Sequence, residues 1–218
     1  MEPVEHLIGG HERFGPLWRR MGASDDGSST LGALLQAYDE PHRHYHGIDH
    51  LRDCLAQLDA SPAVGPDRDL AETALWFHDA VHLPGADDNE TRSAAWAASA
   101  MMAAGIAEAP AHEVARLVRL TDHTRPSDDP VGDLVCDVDL SILGREWGEF
   151  AEYERRIRSE YHRVADPLYR IGRAAVLTRF LAREPLYRTE HFRARYETRA
   201  RENLKRSLAS LGTSSASQ

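Results

Sequence analysis

The run Ala74-Leu75-Trp76-Phe77-His78-Asp79-Ala80-Val81-His82 sets a histidine and an aspartate side by side in an otherwise apolar segment. Such a segment belongs in a core. Burying an imidazole or a carboxylate there without a partner costs several kcal/mol. Any fold of this chain must therefore bring compensating groups to residues 78 and 79. A divalent metal is one such compensation, because imidazole nitrogen and carboxylate oxygen both ligate such ions.

Other ligand types occur in order along the chain. Upstream, Tyr45-His46-Gly47-Ile48-Asp49-His50 carries two histidines four residues apart, which on a helix share one face. Downstream, Asp137-Val138-Asp139-Leu140 puts two carboxylates into an apolar stretch. Two residues apart, they cannot both aim at one point from a helix or turn, so one is a ligand and the other a cap, a supporting group or an exposed residue. His50, His78, Asp79 and Asp139 then form an N/O ligand set drawn from three segments of a helical bundle.

Gly and Pro fall mostly between stretches of helical periodicity, and no long alternating pattern marks a strand. The spacing predicts helices over about 4–21, 30–39, 46–58, 70–81, 90–104, 111–121, 134–143, 146–164, 167–183 and 190–211. The expectation is an all-α bundle in one domain over 1–211, with its core at about 30–184. The Ser-rich tail 212–218 reads as disordered.

The residues His50, His78-Asp79 and Asp139 resemble the HD-domain superfamily of metal-dependent phosphohydrolases, in which a first His, a His-Asp doublet and a distal Asp hold one metal. The family's distal Asp precedes an apolar run, and Asp139-Leu140-Ser141-Ile142-Leu143-Gly144 fits that better than Asp137. Tyr45 to His50 is also similar to the Tyr-His-x-x-x-His signature of cyclic-nucleotide phosphodiesterases in the superfamily. Asp88-Asn89-Glu90, Asp137 to Gly144 and Tyr187 extend the likeness to a bacterial branch of HD phosphohydrolases of about this length, over roughly residues 30–208.

The resemblance implies His50, His78, Asp79 and Asp139 as metal ligands and His46 as general acid. Asp79 would also orient the attacking water. Glu90 follows Asp88-Asn89 at a helix start. There it compensates the helix dipole or, by the resemblance, serves as a base or supporting group. His82, His123, Arg43 and Arg125 are expected to contact the substrate, and Arg92 and Arg158 are further phosphate candidates. His123 is also the residue that a second metal would need, with His112 as its only available companion. The implied cofactor is a divalent ion (Mn, Co, Ni, Fe, Zn or Mg), and the implied substrate is a phosphate ester of a nucleotide or other small phosphorylated metabolite. Two other readings stay open: an HD-type di-iron oxygenase, and a non-catalytic nucleotide-binding protein with a residual metal site. His78-Asp79-Ala80-Val81-His82 is one methylene short of the HExxH zinc-protease helix. The shorter Asp reaches water poorly, and that reading leaves His50 and Asp139 idle.

Composition narrows the partners. The net charge of −9, from 26 basic and 35 acidic residues, argues against nucleic-acid polymers and anionic membranes. Lys205 is the only lysine, so nearly all positive charge is arginine, which grips phosphate bidentately. No run of about 18 apolar residues predicts a transmembrane helix, and no signal-peptide pattern opens the chain. Cys54 and Cys136 sit in helical apolar pattern and read as buried free thiols, in keeping with a reducing cytoplasm. A homodimer is compatible with all of this.

Overall fold

The computed structural model describes residues 10–62 and 65–213. The all-α expectation is met: among the described residues there are helices and no strand. The helices are α1 (Gly10–Arg20), α2 (Ser28–Tyr38), α3 (Ile48–Ala60), α4 (Arg68–Phe77), α5 (Asn89–Ala103), α6 (Glu108–Leu120), α7 (Pro130–Asp139), α8 (Trp147–Glu160), α9 (Asp166–Leu181) and α10 (Glu190–Thr213). Short 3-10 segments occupy Gly65–Asp67 and Leu140–Gly144. The expected start of the first helix before residue 10, the middle of the loop at 61–66 and the end of the Ser-rich tail lie outside the described residues. The described chain falls into two compact units, divided after Asp139.

In the first unit α4 is central, packing on α1, α3, α5, α6 and α7. Its sequence explains why. Ala71, Ala74, Leu75, Trp76 and Phe77 are all fully buried, and they point to several sides of the helix, so its later turns are enclosed by neighbours. Phe14 and Trp18 of α1 stack at 5.2 Å between centroids, and Phe14 meets Trp76 edge-on at 5.1 Å. Leu51, Leu55 and Leu58 line the buried stripe of α3. Each such side chain contributes about 1.5–3 kcal/mol of burial. The small residues Ala94 and Ala97 let α5 lie close along α6.

Helix α7 begins four residues earlier than the sequence periodicity predicts. Asp129 caps it: its Oδ1 accepts the main-chain N–H of Val131 at 2.9 Å and of Gly132 at 2.8 Å, ahead of Pro130 in the first turn. Its Oδ2 pairs with Arg116 of α6 at 2.6 Å. The cap fixes where α7 starts and thereby where Asp139, its last residue, arrives.

In the second unit, Asn203 of α10 donates to the carbonyls of Leu143 and Arg145, each at 2.9 Å, and the Tyr187 hydroxyl donates to Leu140 O at 3.0 Å. A side chain at Gly144 would collide with Tyr196, whose Cβ lies 2.4 Å from the position a Cβ would take. Glycine is what lets α10 lie against this segment. Buried Arg173 pairs with Glu154 and donates to Tyr153 Oη at 2.7 Å. No helix of the described residues is long and apolar enough to cross a membrane.

Candidate metal centre

The candidate ligands stand at helix ends and not in helix middles. His50 lies in the first turn of α3. That helix starts at Ile48, not His46, because Gly47 takes an extended conformation (φ −111°, ψ −162°) and closes a turn onto Tyr45. A Cβ at Gly47 would come within 3.1 Å of the Tyr38 carbonyl. His46 therefore sits in the turn before the helix, which corrects the expectation of a shared helix face. Its ring still reaches the site, 5.9 Å from that of His50 and nearly perpendicular to it.

The doublet corrects the sequence reading in the same way. Helix α4 ends at Phe77, and His78 and Asp79 form the turn that follows. Within a helix, neighbouring side chains diverge by about 100°; in this turn both reach one point. Side chains from other elements hold the turn open. Arg43 donates to the carbonyls of Asp79 and Ala80, and the Tyr38 hydroxyl accepts the Asp79 N–H at 3.3 Å. Ser93 Oγ accepts the Val81 N–H at 3.0 Å. Asn89 exchanges two 3.0 Å bonds with the Leu83 main chain, the work it does here in place of capping α5.

His78 Nδ1 donates to the Leu75 carbonyl at 2.8 Å, which fixes the ring's orientation and turns Nε2 toward His50. The two Nε2 atoms stand 3.0 Å apart. Asp79 Oδ2 lies 3.2 Å from His78 Nε2 and 3.5 Å from His50 Nε2; Asp139 Oδ1 lies 3.1 Å from His50 Nε2 and 3.6 Å from His78 Nε2. A divalent ion held at about 2.0–2.2 Å by N and O donors spaces neighbouring donors about 2.8–3.6 Å apart. All five separations fall inside that range. Asp79 Oδ2 is a buried oxygen whose ion-pair partners are the two histidine nitrogens of the cluster.

The electrostatics agree. Burial alone would raise the carboxyls of Asp79 and Asp139. The histidines overcome it, His78 most strongly at Asp79 and His123 and His50 at Asp139, and hold both well below the ordinary range. Burial would likewise lower His78, yet Asp79 and Asp139 raise it. Two buried carboxylates thus draw positive charge into this spot, and the C-terminal ends of α4 and α7, where the doublet and Asp139 sit, favour the same sign.

Sequence reasoning missed one member. The buried thiol of Cys54 joins His50, His78 and Asp139 in a cluster whose donor atoms all lie within 4.8 Å of one another. The signal was present in the spacing, since Cys54 follows His50 by one helical turn.

Other candidates separate by position. His123 is buried in a left-handed conformation (φ 53°) just past α6, and its Nε2 bonds Asp139 Oδ2 at 2.8 Å. It braces a ligand, in contrast to the substrate contact expected for it. His112 is exposed in the first half of α6, eleven residues or about 16 Å of helix from His123. It does not make a second-metal pair with His123. His82 is buried and stacks on His46 at 4.0 Å. Glu90 lies at the start of α5, near enough that burial first, and then the charges of Asp79 and Asp122, raise its carboxyl. Asp137 is buried but stands outside the cluster that Asp139 joins.

Arg43 departs from its expected phosphate role. Its side chain is only 1% exposed, and its donors go to Glu40 and to the carbonyls of His46, Asp79 and Ala80. Arg158 is similarly engaged, with the Tyr161 and Val164 carbonyls. Arg125 is exposed in the loop that follows His123. Beside the doublet, Ala80, Val81 and His82 line a groove of about 430 Å³ with Glu40, Arg92 and Trp96. The chain matches no family model, no curated protein and no solved structure.

Proposed function

We propose that the chain is a metal-dependent phosphohydrolase of the HD type, acting on a phosphate ester of a nucleotide or other small phosphorylated metabolite. The observation that carries this reading is the spacing of His50 Nε2 and His78 Nε2 from each other and from Asp79 Oδ2 and Asp139 Oδ1, at 3.0–3.6 Å across three segments of chain. These four residues would hold the ion. Bound there, a divalent metal would polarise a phosphoryl oxygen and lower the pKa of a coordinated water.

The chain supplies the rest. His46, half-exposed beside His50, carries a proton on a ring nitrogen to the leaving oxygen. The His82 ring stacked against it limits its rotation. Asp79 orients water from the ligand side, and Glu90, its carboxyl raised by burial and by the charges of Asp79 and Asp122, serves as the supporting acid–base group. Arg125 neutralises phosphate charge from the loop, and the groove beside residues 80–82 accepts the remainder of the metabolite. His123 turned onto Asp139 and His112 far along α6 favour this chemistry over a di-iron oxygenase, which needs a second histidine-held metal.

The test is phosphate release. The protein, loaded in turn with Mn²⁺, Co²⁺ and Zn²⁺, is incubated with pooled nucleotides and sugar phosphates under strict anaerobiosis. Inorganic phosphate released by the wild type and not by Asp139→Ala supports the proposal. Turnover that requires both iron and oxygen overturns it.

A further inference from the structure

We propose that the groove beside the doublet is the leaving-group subsite, and that Trp96 and Leu83 select an ester whose alcohol carries a planar ring of nucleoside size. The inference rests on the reading of the metal centre as a phosphohydrolase site and deepens it. The groove, of about 430 Å³, is walled by α2, by the turn at residues 80–83 and by the first turns of α5. Small-molecule sites commonly have about 300–1,000 Å³, with mostly apolar walls and a few polar groups. Alanine, valine, leucine and tryptophan make most of this wall; apart from His82, its polar groups are Gln36, Glu40 and Arg92. Leu83 is 45% exposed, one of four large apolar side chains left so open among the described residues. Its main chain is what Asn89 holds, so the side chain is presented to the groove by a fixed turn. The half-buried Trp96 ring meets the buried Phe77 ring at 6.3 Å, nearly perpendicular, so the core sets its position too.

His82 ties the groove to the chemistry. It lines the groove, and its ring stacks on that of His46 at 4.0 Å. An alcohol protonated by His46 therefore departs next to a residue that is also a wall of the groove. The composition of the wall then chooses among alcohols. A hexose or glycerol would bury hydroxyls against carbon and leave them without partners. An alkyl chain would cover Gln36, Glu40 and Arg92 and give them nothing in return. A planar ring with heteroatoms on its edge meets both demands. Its faces pack on Trp96 and Leu83, and its edge reaches the polar groups. Arg92 has donors to spare for this, because its ion pair with Asp88 is long, at 3.9 Å. Arg43, by contrast, is already committed to carbonyls and Glu40.

The experiment is calorimetric titration of the full chain with adenosine and uridine, with glucose and hexanol as comparison probes. None of the probes carries phosphate, so the measurement is independent of turnover. At least one nucleoside should bind, and more tightly than glucose or hexanol. Trp96→Ala and Leu83→Asp should weaken that binding by about 5–150-fold, the scale of one base stacked on an aromatic side chain. Trp96→Phe keeps a ring and should retain most of the affinity. Leu83 is exposed enough that its variant decides the question even if Trp96→Ala folds poorly. Failure of both nucleosides to bind, equal binding by Leu83→Asp, or a preference for glucose or hexanol overturns the proposal. With metal supplied, Trp96→Ala should raise KM for a nucleoside monophosphate and leave KM for glucose 6-phosphate unchanged. Nucleoside binding without phosphate release from any ester leaves the ring site standing and overturns the hydrolase. Phosphate release with no preference for a ring does the reverse.

Discussion

His123 and Asp139 are joined by a 2.8 Å hydrogen bond from Nε2 to Oδ2, while Oδ1 of the same carboxylate stands 3.1 Å from His50 Nε2. One oxygen is held so that the other can point into the cluster. Partners of this kind commonly set metal affinity without touching the metal. His123→Ala should therefore weaken metal binding by about 10–100-fold without abolishing it. Competition against a chromophoric chelator measures this. Unchanged affinity with a raised KM would show instead that His123 meets the substrate.

Removal of a ligand should be more severe. Purified His78→Ala and Asp139→Ala should carry little metal by elemental analysis, where the wild type carries close to one divalent ion per chain. Asp137→Asn should retain its metal, because the distal carboxylate that meets the histidines is Asp139, whose Oδ1 stands 3.1 Å from His50 Nε2 and 3.6 Å from His78 Nε2. Full occupancy in both alanine variants would refute the ligand assignment.

His46 touches the site through its ring, so its loss should affect chemistry and spare the metal. His46→Ala is expected to lower turnover on a substrate with a poor leaving group by about 10²–10⁴-fold. A nitrophenyl ester, whose leaving group needs no proton, should recover much of that loss. Equal losses on the two substrates would count against the acid role.

Asp129 predicts a pH effect on stability. Burial tends to raise its carboxyl, but the Gly132 N–H and Arg116 outweigh burial and hold it below its ordinary value near 3.8. A carboxyl depressed on folding stabilises the fold above that ordinary value, and the contribution fades as pH falls through the lowered one. Asp129→Ala should cost about 1 kcal/mol near neutrality through loss of the cap. Urea denaturation at neutral and acidic pH checks this: the two stability curves should converge toward the acid end.

Arg43 distinguishes a strut from a phosphate clamp. Arg43→Lys keeps the charge but cannot span the His46, Asp79 and Ala80 carbonyls together. We expect a lower thermal midpoint and weaker metal binding with little change in KM once metal is saturating. A raised KM at full metal occupancy and unaltered stability would restore the clamp.

Much of the site was legible because its residues are chemically odd in their places: His78 and Asp79 in an apolar run, Asp139 before another. The helices were legible from spacing alone. What the sequence hid was where helices stop. Periodicity carries α4 through Val81 and starts α3 at His46, because nothing local reveals that Arg43 and Tyr38 will take the main-chain groups of Asp79, or that Gly47 will lie extended against Tyr38. The same holds for Arg43 itself, whose partners are carbonyls 36 and 37 residues away. Cys54 was visible at one turn from His50, but a thiol in a helical stripe reads first as core. Asp129-Pro130 announced the start of α7 and was outweighed by the polarity of the loop around it.

Arg43 donates to His46 on one strand of chain and to Asp79 and Ala80 on another. The distance between the proposed proton donor and the proposed metal is therefore not the sum of two independent loop conformations. It is set by the span of one planar, rigid group. Loop substitutions at 44–46 or 80–83 can alter what reaches the site while that span endures. Retuning the proposed activity for a leaving group of different reach would begin at residue 43, whose donors go to main-chain carbonyls and Glu40.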